Sequence, residues 1–214
     1  MTAVIFDCDG TLVDSEPLAR SAWERSLARY GYELTDGEIE ACVGWPYERT
    51  HAYMAQRAAL PDAAAFWPEF SGELFALIDS ELVVFEDAVA ALADLRERGV
   101  PVAVASSSPR ERLGRTLWRV GLEFAVTVAG DEVAHGKPAP DMFLTAAERL
   151  GVEPAECVVV EDSPPGVEAG LAAGMGVLAV AREPGAEVGL AGAHGVVRVL
   201  GAEAILSVTL PRPA

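Results

Sequence analysis

Asparagine is missing altogether, and lysine occurs once, at Lys137, so that fifteen of the 16 basic residues are arginine. Surface positive charge is written as guanidinium, and a solitary compact ammonium marks a place where a planar fork would not serve. Positive charge of either kind is scarce, since the net charge at pH 7 is −17. A nucleic-acid backbone or an anionic bilayer is therefore excluded as an expected partner. An anionic small substrate has to find local positive charge against that field. Three cysteines, Cys8, Cys42 and Cys157, form neither a disulfide framework nor a metal-binding spacing. No apolar run reaches the ~18 residues of a membrane span. Met1-Thr2 leads straight into a strand pattern, which leaves no room for a signal peptide. A cytoplasmic protein is the expectation. No internal repeat or low-complexity linker is present.

What is present is a large apolar supply, 51% of 214 residues, enough for one good-sized domain carrying an insertion. Val4-Ile5-Phe6 reads as a buried strand. Glu16 to Tyr30 carries an apolar stripe at helical spacing, closed by Gly31. Thr35 and Glu38 form a capping box for a second helix through Cys42. Helices are expected over Glu48 to Leu60 and Asp62 to Ser80, with Pro68 as a kink or boundary. From Leu82 onward, strands alternate with helices. The strands are expected at Val102 to Ala105, Phe124 to Val128, Cys157 to Val160, Val177 to Val180 and Val196 to Val199. The helices between and after them are expected at Asp87 to Arg98, from Ser108 to Gly121, at Asp141 to Leu150, at Pro165 to Ala173 and at Ala202 to Ser207. That alternation implies an α/β fold, a Rossmann-like doubly wound parallel sheet with an inserted α-helical domain. The expected division is a core of residues 1–14 and 83–214 and a helical insertion of 15–82, set over the carboxyl edge of the sheet.

Polar groups collect at the strand ends. The first strand runs into Asp7-Cys8-Asp9-Gly10, with the two acids spaced to share a face. Another ends in Ser106-Ser107-Ser108, where Ser108 reads as a helix cap and Ser106 as the better phosphate donor. Lys137 lies in a loop ahead of a helix, and Glu161-Asp162-Ser163 follows the fourth strand pattern. Parallel strands bring these tips to one edge, where open α/β sheets bind ligands. Several carboxylates, a hydroxyl and one ammonium suit a hard dication and a phosphoryl group. Gly136-Lys137-Pro138 is not a P-loop, because proline replaces the hydroxyl residue. Cys8, between two acids, reads as packing and not as a nucleophile. His51, His135 and His194 are too scattered to suggest ligands.

Asp7-Cys8-Asp9-Gly10-Thr11-Leu12-Val13-Asp14-Ser15 resembles the first motif of the haloacid dehalogenase superfamily. Ser106, Lys137 and Glu161-Asp162 are similar to its second, third and fourth motifs, in the same order. The helical insertion resembles the small cap of the β-phosphoglucomutase-like branch. The resemblance implies a phosphatase in which Asp7 attacks phosphorus and forms an aspartyl-phosphate. Asp9 would act as acid and then base, while Ser106 and Lys137 would hold the phosphoryl oxygens. Mg²⁺ would be bound by Asp7, the Asp9 carbonyl and Asp162, with Glu161 in direct or water-mediated support.

Within the family, Asp9 favours phosphoryl chemistry over dehalogenation. The absence of lysine between Glu16 and Glu81 argues against phosphonate cleavage. A hexose-phosphate mutase is the alternative, but Ala19 stands where mutases carry a cap histidine. A non-catalytic phosphate-ester binder is the third reading. Gly44, Trp45, Tyr47, Arg49 and Ser107 are the candidate substrate contacts, although Trp45 and Tyr47 are equally suited to packing the insertion. The expected partner is a small phosphate ester, a sugar phosphate or phosphosugar acid, with the chain a monomer or dimer. Hinges are expected near Val13-Asp14 and Val84 to Glu86.

Overall fold

The computed structural model describes residues 2–42 and 45–210. The chain divides into two compact units, residues 1–14 with 83–214, and residues 15–82.

The first unit is built on six parallel strands: β1 (Ala3–Phe6), β4 (Val102–Ser106), β5 (Val126–Ala129), β6 (Cys157–Glu161), β7 (Gly176–Val180) and β8 (Gly195–Val197). Their spatial order is β5-β4-β1-β6-β7-β8. The chain steps outward from β1 through β4 to β5, then returns to the other side of β1 at β6. Such a reversal opens a crevice outside the carboxyl ends of the two strands that flank it. Here those strands are β1 and β6, aligned from Ala3 opposite Cys157 to Phe6 opposite Val160.

Odd-numbered strand residues, Ala3, Ile5, Ala103, Ala105, Val159 and Val177, pack against Met142, Phe143, Ala146 and Ala147 of α7 (Asp141–Leu150) and Val167 and Ala169 of α8 (Pro164–Ala172). The even-numbered set, Val4, Phe6, Val104, Val158 and Val160, is equally buried. The strands therefore read as continuous apolar runs because both faces are covered. Further helices of this unit are α5 (Glu86–Glu97), α6 (Arg110–Arg119) and α9 (Ala202–Leu206). Two short strands, β2 (Val13–Asp14) and β3 (Val83–Val84), pair antiparallel at the point where the chain leaves and re-enters the unit. At two residues each, they are too short to show a period.

The second unit consists of α1 (Glu16–Ala28), α2 (Asp36–Cys42), α3 (Tyr47–Met54) and α4 (Ala63–Glu81). Helices α1 and α4 pack together around Trp23, whose ring lies 4.4 Å from that of Phe70 and 5.8 Å from those of Phe66 and Tyr47. Helix α3 is shorter than the expected Glu48 to Leu60. After Met54 the chain tightens into turns, with Arg57 and Ala58 amides both donating to the Met54 carbonyl. Pro61 restricts the residue before it and prevents continuation. Pro68 neither ends nor divides α4, because Phe66, Phe70, Leu74, Leu77 and Ile78 bury one side of it throughout. Among the described residues, no helix is long and apolar enough to cross a membrane.

Candidate active site at the carboxyl edge of the sheet

Asp7 continues directly from β1, and its amide donates to the Val160 carbonyl of β6 over 2.9 Å. The side chain is thereby fixed at the crevice. Lys137, supplied by the loop after β5, places its ammonium between two carboxylates. It donates to Asp7 Oδ1 and, at 2.6 Å, to Glu161 Oε1. The same ammonium lies 5.1 Å from the Phe143 ring. Burial alone would lower the lysine pKa, but the charges of Asp7 and Glu161 more than offset it and hold Lys137 protonated.

Asp7 is pushed up to about 8, chiefly by burial, with the Glu161 charge adding and the Lys137 charge opposing. Asp162 is also driven well above the usual carboxylate range by burial and by the neighbouring Glu161 and Asp7 charges. Two buried acids that resist ionisation together call for a cation.

Glu161 is fully buried at the end of β6. Its Oε2 accepts from the Asp162 amide at 2.9 Å and from the Ser163 amide and hydroxyl, each at 2.8 Å. Both Glu161 oxygens thus accept hydrogen bonds, Oε1 from Lys137 and Oε2 from the backbone and Ser163, and the carboxylate ties the Lys137 loop to the end of β6. Gly166, in the first turn of α8, permits this, since a Cβ there would lie 1.8 Å from the Glu161 carboxyl.

The turn after β1 presses against Asp162. Gly10 has φ +83°, and a Cβ on it would fall 2.0 Å from Asp162 Oδ2. Thr11 Oγ1 donates to Asp162 Oδ1 at 3.3 Å. On the far side of the turn, Arg182 donates to the Thr11 carbonyl at 2.8 Å and to both Asp87 oxygens, at 2.9 and 2.7 Å. Its guanidinium stacks on Phe85, 3.9 Å from the ring centre.

Asp9 is turned toward β4. Its Oδ2 accepts from Ser108 Oγ at 2.8 Å and Ser106 Oγ at 3.3 Å, and its Oδ1 from Arg112 Nη2 at 2.8 Å. Ser108 is therefore not the cap of α6: Pro109 flanks that helix without a side-chain cap, and the Ser108 hydroxyl serves Asp9. Arg112 and Arg182 were not foreseen from sequence. One local signal existed for Arg112. A cation in the first turn of a helix opposes the macrodipole, which points to an acidic tertiary partner.

Ser107 is exposed. Tyr47 packs inside the helical unit, its hydroxyl donating to the Ala63 carbonyl at 2.7 Å and its ring stacked with Trp23 and Phe70. The Arg49 guanidinium lies 3.7 Å above the Trp45 ring. Gly44 falls outside the described residues.

Among the described residues, no three His, Cys, Asp or Glu side chains are grouped as a closed metal cage. The chemistry of the donors still fits Mg²⁺, which takes one or two carboxylates and completes its shell with water and phosphate. Asp7 and Asp162 would supply those carboxylates, and the close approach of Gly10 presses the turn against Asp162.

Residues 1–174 match a hydrolase family described as haloacid dehalogenase-like hydrolase. The bifunctional riboflavin kinase/FMN phosphatase of Arabidopsis thaliana is 35% identical over 185 residues, 84% of this chain. The chain spans about half, 48%, of that longer protein. Fructose-1-phosphate phosphatase YqaB of Escherichia coli is 36% identical over 182 residues, which cover 83% of this chain and 95% of the relative. Among solved structures, a HAD family hydrolase from Deinococcus radiodurans R1 with bound phosphate and sodium superposes with a TM-score of 0.73 and 33% identity, over 96% of this chain and 93% of that one.

Proposed function

The chain belongs to the haloacid dehalogenase-like hydrolases, and on that footing we propose that it is a Mg²⁺-dependent phosphatase of a small phosphorylated metabolite, a sugar phosphate or phosphosugar acid. The observation that carries this reading is the Lys137 ammonium lodged between Asp7 and Glu161 at the crevice beside β1.

In this reading an Asp7 oxygen attacks phosphorus, and the bond to the leaving alcohol breaks. Asp9 gives that alcohol its proton, then takes one from the water that hydrolyses the aspartyl-phosphate. The balance is ester plus water to alcohol plus phosphate, with both acids restored. An attacking carboxylate must be ionised, whereas burial pushes Asp7 up to about 8. The Lys137 charge works against that penalty and is also available to the phosphoryl oxygens, as is the Ser106 hydroxyl. Mg²⁺, held by Asp7, Asp162 and the Asp9 carbonyl, would offset the remaining negative charge. The helical unit of residues 15–82 takes the part of a substrate-selecting cap.

The sugar-phosphate class is favoured by YqaB, a fructose-1-phosphate phosphatase by name. The test is phosphate release from a panel of sugar phosphates, phosphosugar acids and nucleotides with Mg²⁺ supplied. Release that is abolished by Asp7→Asn and by chelation supports the reading. Turnover that persists in either case removes it. Transfer of phosphate between sugar hydroxyls without its release would replace it with the mutase.

A further inference from the structure

We propose that Arg112 is a positioning residue for Asp9, the group that fixes the carboxylate for proton transfer to the leaving alcohol. The inference rests on the reading of Asp9 as the acid of a phosphatase. It adds a residue that lies outside the four motif positions.

Arg112 is the third residue of α6 and carries its charge into the helix's first turn. The aligned peptide dipoles place partial positive charge there, so a cation is unfavourable unless an anion faces it. Asp9, 103 residues away in the chain, is that anion, at 2.8 Å from Nη2. The two side chains are only 20% and 26% exposed, so their charge-assisted hydrogen bond is poorly screened by water.

The guanidinium does not approach as a fork. Nη2 alone reaches the carboxylate, and Nε is buried with no hydrogen-bond partner among the described residues. An arginine serving only as an ion-pair partner would satisfy more donors by meeting both oxygens. A single-point contact leaves Oδ2 to the hydroxyls of Ser108 and Ser106. Donors thus approach the two oxygens from different elements, the strand end and the helix, which fixes the carboxylate plane as well as its position. Two hydroxyls can rotate, whereas the guanidinium is held by a helix that packs on β5.

A general acid matters in proportion to how poor the leaving group is. An aryl phosphate with a stable phenolate needs little protonation, whereas an alkyl ester needs it fully. Because kcat/KM reports only steps through the first departure of alcohol, it isolates Asp9's role as acid from its later role as base. The experiment compares p-nitrophenyl phosphate with the best sugar phosphate from the release panel, in the unaltered chain, Arg112→Met, Arg112→Lys, Asp9→Asn and the Arg112→Met/Asp9→Asn pair.

The expected result is that Arg112→Met raises the aryl-to-alkyl ratio of kcat/KM by about 30-fold or more, part of the roughly 10²–10⁴-fold that a general acid contributes, because Asp9 itself remains. Asp9→Asn should shift the ratio in the same direction, and the double variant should show no further shift. Arg112→Lys should restore part of the alkyl rate. Equal loss on both esters, no change in the ratio, or additive losses in the double variant overturns the inference while leaving the phosphatase reading intact. If Arg112→Met does not fold, Arg112→Lys and Ser108→Ala carry the same ratio test, and an unmoved ratio in both is equally decisive. An unaltered chain that hydrolyses neither ester removes the phosphatase reading and this inference with it.

Discussion

Lys137 donates to Glu161 Oε1 across 2.6 Å, with their side chains only 6% and 0% exposed. Both charges are almost wholly shielded from bulk solvent, and the ammonium is shared with Asp7. Removing one member of a buried ionic group strands the others. Lys137→Met is expected to destabilise the fold by roughly 3–5 kcal/mol and to abolish hydrolysis. Denaturant midpoints and phosphate release check the two effects. A variant that keeps full stability would show that this ammonium is not compensating Asp7 and Glu161.

Gly10 sits where a side chain cannot, at φ +83° and with Asp162 Oδ2 2.0 Å from the position a Cβ would take. Gly10→Ala is expected to cost about 1–3 kcal/mol from backbone strain and to displace Asp162. Calorimetric titration of Mg²⁺ should then show at least tenfold weaker binding than in the unaltered chain, a loss of the size that outer contacts typically cause (about 10–100-fold). Unchanged affinity would separate Asp162 from the metal.

Much of this layout was legible in the sequence because it is local. An apolar run, a terminating acid and a capping glycine each announce themselves within a few residues, which is why α7 matched its expected Asp141 to Leu150. The edge constellation was legible for a related reason: parallel strands deliver every tip to the same side. What escaped was set by distance. Ser108 and Arg112 answer to Asp9, 99 and 103 residues away, and Ser108 has the local context of an ordinary helix cap. Arg182 likewise meets Thr11 from 171 residues on. Glu161 was placed correctly at its strand end, but which donors fill its oxygens is not encoded by sequence spacing. Tyr47 could pack or face outward, and Trp23 and Phe70, one from α1 and one from α4, decided it.

Arg182 and Asp87 form a brace beneath the turn that carries Gly10 and Thr11. Burial works to raise the Asp87 pKa, yet the two Arg182 bonds and the Leu200 amide, at 2.7 Å, hold it below the ordinary carboxylate range. A depressed folded pKa contributes stability above the unfolded value, near 3.9, and that contribution is lost as pH falls through the folded value. Asp87→Asn is therefore expected to cost about 2 kcal/mol at neutral pH. The gap from the unaltered chain should close below about pH 4. Urea melts across pH 3 to 7 read this, and a gap that widens in acid would reverse the sign of the pair's contribution.

Ser163 caps α8 by accepting from the Gly166 amide at 3.2 Å while donating to Glu161 at 2.8 Å. Ser163→Ala removes both, so a loss of about 1–2 kcal/mol is expected, at the upper end for a cap. Gly166→Ala should be worse, because its Cβ would meet the immobile Glu161 carboxyl at 1.8 Å. Thermal unfolding of the two variants gives their order directly.

The central claim is that Asp7 itself carries the phosphoryl group. Asp9→Asn should slow hydrolysis of the acyl phosphate more than its formation when the substrate is an aryl ester, so the adduct should accumulate. Peptide mass spectrometry after a millisecond acid quench, with Mg²⁺ and p-nitrophenyl phosphate present, locates the phosphate. A phosphorylated Asp7 is the predicted result. Phosphate on another residue, or steady turnover with Asp7 unmodified at every quench time, would contradict the account.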